Sequence, residues 1–443
     1  MGSQHSKRRA KLASNKKKKR DQHQAPSETE LVMPPIIWYR HSGQPEVETI
    51  PLFPPCYDVD KERIVTEIGV HHITHMYLEG GIVELAMTPH LKELRLNAIP
   101  PADLVCFSSL TGLEILDLSY MNMPDGLPHE IGQLSSLERL SLQHCRLTDL
   151  PQSFSCLCKL RELDLTDNMF SEGLPISIGH LRTLEHLLLD ACNLTDLPEC
   201  LSHLTDLKLL HLNYNHLDHG LPDVIQHFSL LETLSLKQAG LADLPLSFSS
   251  LTSLKELELS FNDMRRGLPP VIGQLSTLEK LMLEKCCLTD LPQSLSSLER
   301  LAELELSSND FSAGLPSVIG QMKGLQKIRL IRCQLRDLPQ RLDCETQLKV
   351  LRIDHNELTQ LPAVILQMQS LEALDLSYNI NLLNIVRDIS WLRKLKKLEC
   401  HGCTSLKSPP FAVCKRGIED ITKYFAELPG NGGAELQQSS EKD

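Results

Sequence analysis

Leucine dominates the apolar positions of this chain and recurs on a fixed beat. From about residue 68 the pattern LxxLxLxx(N/C)xL returns many times, as in Leu160-Leu163-Leu165-Asn168 and Leu137-Leu140-Leu142-Cys145. Leu113, Leu160, Leu207, Leu254, Leu301 and Leu348 stand 47 residues apart, and Leu137, Leu184, Leu231, Leu278 and Leu325 interleave at the same interval. Leu-Pro pairs keep time with them, with proline at 128, 151, 175, 198, 222, 245, 269, 292, 316, 339 and 362, in steps of 23 or 24. The unit is therefore double. Within each half the LxL alternation predicts a short strand with both leucines on one face. One repeat cannot bury that face alone, so neighbours stack into a parallel sheet and build a solenoid. Each proline opens the outer segment, where a missing N–H costs least.

The polar positions sharpen this. The slot after the strand holds Asn168, Asn215, Asn262, Asn309, Asn356 and Asn379, and a buried Asn there can satisfy backbone groups of adjacent turns. Cys145, Cys192, Cys286, Cys333 and Cys403 take the same slot in alternate repeats, as small buried hydrophobes with weak S–H donors. Met121 and Ala239 depart from the pattern, so the ladder is expected to weaken there. The 24-residue repeats carry Gly126, Gly173, Gly220, Gly267 or Gly314 before Leu-Pro, where the 23-residue repeats carry Asp149, Asp196, Asp243, Asp290 or Asp337. The glycine predicts a turn with positive φ that absorbs the extra residue.

These motifs resemble the leucine-rich repeat. They are most similar to the 23-residue intracellular type with LPxxIxxLxxL on its outer side, as in Ras-associated leucine-rich scaffolds and the repeat domain of Roco-family proteins. The resemblance covers residues 68–428. It implies an α/β-type solenoid, a horseshoe with a parallel concave sheet and short helical or irregular convex segments. About fourteen units fit between residues 68 and 417. At ~4.8 Å per strand they would span on the order of 65 Å. The expected organisation is a disordered basic tail (1–30), an N-terminal cap with degenerate repeats (31–90), the solenoid (91–405), a cap helix (406–428) and a second disordered tail (429–443). Trp38, Tyr39 and Phe53 are expected to cover the first strand face. Ile418, Ile421, Phe425 and Leu428 have the spacing of an apolar helix face. The segment around them resembles the one that precedes the GTPase module in Roco proteins, and with the chain reaching only Asp443 no such module is expected.

Charge changes the picture at one end. The chain has 443 residues, with 45 Lys+Arg against 57 Asp+Glu. Lys7, Arg8, Arg9, Lys11, Lys16, Lys17, Lys18, Lys19 and Arg20 fall in a stretch with no acid, leaving 36 basic against 57 acidic residues, or −21, over residues 21–443. An acidic body with 4% aromatics makes a poor nucleic-acid platform. No apolar run approaches the ~20 residues of a membrane span, and the basic start lacks the apolar core of a secretory signal. A cytoplasmic chain is expected, with thiols reduced. Met1-Gly2-Ser3-Gln4-His5-Ser6 fits the N-myristoylation pattern, with Gly2 as the acceptor. One myristoyl chain binds a bilayer with only ~10⁴ M⁻¹, about 5.5 kcal/mol, and the nine cations supply a second signal toward anionic lipids of the inner leaflet. Phosphorylation of Ser14, among those cations, would weaken that attraction. The same run also reads as a nuclear import signal.

Catalytic and metal chemistry finds little footing. Cys400-x-x-Cys403 occupies two core slots of a repeat, with no second CxxC at zinc-ribbon spacing. His71, His72 and His75 lack the glutamate of HExxH. Neither an enzyme nor a cofactor is expected. The concave face is the expected partner surface. An acidic stretch (Glu256, Glu258, Glu284, Glu303, Glu305) precedes a basic one (Lys327, Arg329, Arg332, Lys349, Arg352), and Tyr120, Tyr214, Phe261 and Tyr378 place rings on an otherwise polar sheet. Rings and arginines are enriched at binding hot spots, so Tyr120, Tyr214, Phe261, Arg329, Arg332, Arg352 and Tyr378 are the candidate contact residues. The expected function is a signalling scaffold at the membrane. By analogy its partner is a small GTPase or a phosphatase. A nuclear adaptor and a regulatory subunit of a separate enzyme are the alternatives.

Overall fold

A computed structural model describes residues 36–41, 48–51, 73–79, 91–97, 110–340, 342 and 347–428. The lipidation, basic and phosphorylation positions of the tail (Gly2, Lys7–Arg20, Ser14) lie outside them, as do Phe53, His71 and His72. The strands are β1 (Ile36–His41), β2 (Glu48–Pro51), β3 (Ile73–Glu79), β4 (Glu93–Asn97), β5 (Ile115–Asp117), β6 (Arg139–Ser141), β7 (Glu162–Asp164), β8 (His186–Leu188) and β9 (Leu209–His211). They continue as β10 (Thr233–Ser235), β11 (Glu256–Glu258), β12 (Lys280–Met282), β13 (Glu303–Glu305), β14 (Lys327–Arg329), β15 (Val350–Arg352), β16 (Ala373–Asp375) and β17 (Lys397–Glu399). β1 pairs antiparallel with β2 and with β3, and from β3 to β17 every pairing is parallel and between sequence neighbours.

The register is set by leucine. Leu116, Leu140, Leu163, Leu187, Leu210 and Leu234 lie side by side across β5 to β10, each buried, while the residues before and after them face outward. On the outer side Leu-Pro leads into one 3₁₀ turn at ten of its eleven positions, such as His129–Gln133 after Pro128 or Gln293–Ser297 after Pro292; after Pro339 the described residues show none. The proline ring presets the extended entry, with φ −64° and −68° at these two. The turn drops an apolar residue, Ile131 or Leu295, into the core. In the turn Pro270–Gln274 the glycine has a steric reason: a side chain at Gly273 would collide with the Ser294 carbonyl oxygen of the next repeat. Phe154, Phe170, Phe228, Phe248 and Phe311 are the largest side chains fully buried in the core among the described residues.

The slot after the strand explains why the repeat is double. Asn262 accepts from the amides of Ala239 and Leu241, both at 3.0 Å, and donates to the carbonyls of Leu236 and Leu259, both at 2.7 Å. Asn168, Asn215, Asn309 and Asn356 repeat this set. The cysteines have less to do. Cys192 and Cys286 donate S–H to Leu165 and Leu259 carbonyls at 3.1 and 3.3 Å. The amides of Phe170 and Met264, in the Asn-bearing repeats, are taken by the Cys192 and Cys286 carbonyls, both within 3.0 Å. A thiol suffices there because no amide needs a side-chain acceptor. Ala239 loses only the S–H bond, so the weakening expected there spares the Asn262 bonds. The alternation slips once, where Asn356 and Asn379 follow each other without a cysteine repeat between; Asn379 accepts from the Leu358 amide at 3.2 Å.

Left-handed residues follow the same alternation. Gly126, Gly173, Gly220, Gly267 and Gly314 have φ between 87° and 113°. In the cysteine repeats the left-handed residue instead follows the slot: Arg146, Asn193, Cys287 and Gln334 have φ of 56–58°. Burial pushes the thiols of Cys192, Cys286 and Cys333 up to about 12, holding them neutral.

The C-terminal end closes on α1 (Phe411–Cys414) and α2 (Ile418–Glu427). Ile421 and Phe425 are buried and Ile418 half-buried, but Leu428 is exposed, because the helix stops at Glu427 and the backbone turns extended. The Arg387 guanidinium donates to the Phe425 and Leu428 carbonyls. Cys400 is kept protonated by its hydrogen bond to Cys414 and by burial. Among the described residues no helix is long and apolar enough to cross a membrane.

Candidate functional site: the concave face

Three zones run across the concave face. Along the edge where the strands begin, charges alternate between repeats and pair: Lys92–Glu114 at 2.6 Å, Arg161–Glu185 at 2.5 Å, Lys208–Glu185 at 2.6 Å, Lys255–Glu232 at 2.8 Å and Lys396–Glu372 at 2.7 Å. A hydrogen bond from Lys208, against a smaller opposing effect of burial, holds Glu185 below the usual carboxylate range. Exposed pairs of this kind are screened by solvent and contribute little to stability. Their main effect is to neutralise that edge.

The second zone is the outward side of the strands. Here the expected acidic and basic stretches meet and pair. Arg329 lies 2.5 Å from Glu303 and 3.5 Å from Glu305, and Lys327 lies 2.9 Å from Glu303. Burial opposes ionisation of Glu303, but Lys327 and Arg329 still hold its carboxyl below the ordinary range, whereas burial leaves Glu305 above it. Arg352 lies 3.5 Å from Asp354 and 3.2 Å from Asp375, and Lys349 donates to Gln326 at 2.8 Å. Glu256 pairs with Lys280 at 2.5 Å. Two of the three candidate arginines are thus engaged within the fold. Arg332 is exposed and has no ion pair among the described residues.

The third zone is a ridge that sequence reading placed on the sheet. Tyr120, His144, Asp167, Ala191, Tyr214, Gln238, Phe261, Lys285, Ser308, Arg332, His355 and Tyr378 lie three residues beyond their strands, all with φ between 50° and 65°. The chain turns here after the last inward leucine, and the amide of each donates to the next repeat, as Tyr214 does to Lys237 and Phe261 to Glu284. The rings are built into clusters. Tyr120 and His144 have centroids 5.4 Å apart, and His355 stacks on Tyr378 at 4.3 Å and 21°. Lys237 and Lys285 sit over Phe261 at 5.0 and 5.3 Å. Tyr120, Tyr214 and Tyr378 remain about half exposed. The ridge brings Tyr120, Tyr214, Phe261, Arg332 and Tyr378 into one line and leaves Arg329 and Arg352 below it on the strands.

Comparison with known proteins agrees with this geometry. A family model described as a leucine-rich repeat region matches residues 82–220. A solved leucine-rich repeat protein of Leptospira interrogans is 28% identical, with a TM-score of 0.60, over 74% of this chain and 90% of that one. This is a leucine-rich repeat solenoid. An internalin of Listeria monocytogenes shares the fold at 20% identity and TM-score 0.56, covering 72% of this chain and 89% of its own. Drosophila Toll, solved in its complex with Spätzle, shares it at 19% identity and TM-score 0.62, covering 78% of this chain and 49% of its own. This solenoid therefore spans about half of the Toll chain. Comparison with curated protein sequences returns no match. Among the described residues no group of three or more His, Cys, Asp or Glu is arranged to hold a metal.

Proposed function

We propose that this solenoid is a non-enzymatic protein-binding scaffold for intracellular signalling. Its tail holds it at the cytoplasmic face of a membrane through an N-myristoyl group on Gly2 and the cations Lys7–Arg20. Its concave face and ridge receive a protein partner. The observation that carries the reading is the ridge: one line of half-exposed rings and Arg332, which has no ion pair among the described residues, beside strands whose charges are mostly paired from β11 to β17. Such a surface offers aromatic and guanidinium anchors to a long complementary partner. The resemblance to Ras-associated scaffolds favours a small GTPase or a phosphatase as that partner.

Flotation with vesicles containing anionic lipid tests the attachment. Chain made with its N-terminal acyl group should float, and Gly2→Ala should stay in the soluble fraction. Ser14→Asp should float less than the parent, because it adds negative charge among the cations. Equal flotation of parent and Gly2→Ala would rule out lipid attachment. In cells, nuclear accumulation of both would favour the adaptor reading of the basic run.

A further inference from the structure

The two halves of the concave face treat their carboxylates differently. From β11 to β17 the strand carboxylates Glu256, Glu303, Asp375 and Glu399 each have a lysine or arginine within 3.2 Å and Glu305 has Arg329 at 3.5 Å, while Glu258 accepts from the Ser260 amide. From β5 to β9 no strand carboxylate has such a cation among the described residues. Glu162 faces His186 at 3.6 Å, Asp190 faces His211 at 3.7 Å and accepts from the Asn213 amide, and Asp167 on the ridge faces His144. Asp117 and Asp164 accept only from the amides of Ser119 and Thr166. Arg139 is the one cation among them on β5–β9, and it makes no ion pair among the described residues. Asp117, Glu162, Asp164 and His186 line, together with Glu93, Arg95 and Arg139, a cleft of about 400 Å³ that also takes in the apolar side chains Ile115, Leu188 and Leu209. Four carboxylates (Glu93, Asp117, Glu162, Asp164) against two arginines leave the cleft net negative for cationic tips, and its apolar side chains suit aliphatic stems, which is what lysine side chains present.

A cationic segment of this same chain is rooted beside it. Residues 7–20 carry nine cations and no acid. β1 begins at Ile36 and joins the solenoid through β3. From β1 across β3, β4, β5 and β6 to β7 is five strand spacings, about 24 Å. The fifteen residues between Arg20 and Ile36 can span at most about 50 Å. We propose that the basic segment Lys7–Arg20 docks on the N-terminal half of its own concave face, along β5–β9, whenever it is not on a membrane. The contact itself does not depend on acylation. Its consequence rests on the function proposed above: the tail covers part of the partner face until an anionic bilayer takes the cations away.

Carbodiimide cross-linking of the full, unacylated chain in the absence of vesicles tests this. The reagent joins a lysine amine to a carboxylate with loss of water, the carbodiimide being hydrated to a urea. Cross-links from Lys16–Lys19 should concentrate on Glu162, Asp164 and Asp167, at a yield independent of protein concentration, and fall several-fold at roughly 0.5 M salt. The full-chain variant Glu162→Gln/Asp164→Asn/Asp167→Asn should lose most of them. A second variant leaves the solenoid untouched: Lys16–Lys19→Gln should raise the rate of diethylpyrocarbonate modification of His144 and His186 several-fold. Cross-links that instead gather on outer-side acids such as Glu199 and Asp223, or histidine rates indifferent to the tail, would overturn the proposal. Because no membrane enters the experiment, its failure is distinct from a failure of lipid attachment.

Discussion

At the residue scale the slot after the strand does the most specific work. Asparagine and cysteine share one position yet carry unequal shares of the backbone. Asn262 serves two amides and two carbonyls, whereas Cys286 supplies one weak S–H bond. Leaving buried amides without an acceptor costs about 1–3 kcal/mol per group. Asn262→Ala should therefore lower unfolding stability by about 2–4 kcal/mol, and Cys286→Ala by about 1 kcal/mol. Ala239→Cys should stabilise slightly, by restoring a donor toward Leu212. Urea unfolding of the three variants checks the order, and equal losses for Asn262→Ala and Cys286→Ala would contradict it.

At the scale of the strand and its turn, the sheet and the ridge share the labour. Arg329 is half-buried between Glu303 and Glu305, so its removal leaves two partly buried carboxylates without their counter-ion. Arg329→Ala should cost about 1–3 kcal/mol of stability. Arg332→Ala should leave stability within about 0.5 kcal/mol and act only on partner affinity. Thermal unfolding separates the two, and a stable Arg329→Ala variant would return that residue to the list of free contacts. The sequence showed this level unevenly. Strand register was legible because leucine marks the inward face at every repeat, and the glycine turns were legible because only glycine tolerates φ near 90° or above. The ridge was not. Its left-handed residues range from Ala191 to Phe261 and Arg332, because the turn imposes the conformation whatever side chain it carries, and only Gly402 betrays it. The ion pairs were hidden for another reason: Arg329 and Glu303 are 26 residues apart and meet only when repeats are stacked.

At the scale of the whole molecule the double repeat makes length a matter of parity. Deleting residues 207–230 would remove the repeat holding Asn215 and set Cys192 against the Ala239 repeat. The amides of Cys192 and Leu194 would then lose their acceptor. Deleting residues 207–253 instead would bring Asn262 beneath Cys192 and keep every bond type. The longer deletion should therefore give the more stable protein, although it removes one more repeat, with a higher urea midpoint as the readout. A higher midpoint for the shorter deletion would show that repeat number outweighs the ladder.

The ridge carries a further implication. Its left-handed turns admit tyrosine, histidine, aspartate, glutamine, lysine, serine and arginine, and none of the twelve positions holds valine, isoleucine or threonine. β-Branched side chains are the ones such a backbone penalises. The ridge behaves as a row of interchangeable sockets whose backbone cost is met by the turn itself. Swapping one unbranched side chain for another rewrites what the surface says to a partner without retuning the scaffold beneath, so recognition and folding are set by separate residues of the same repeat.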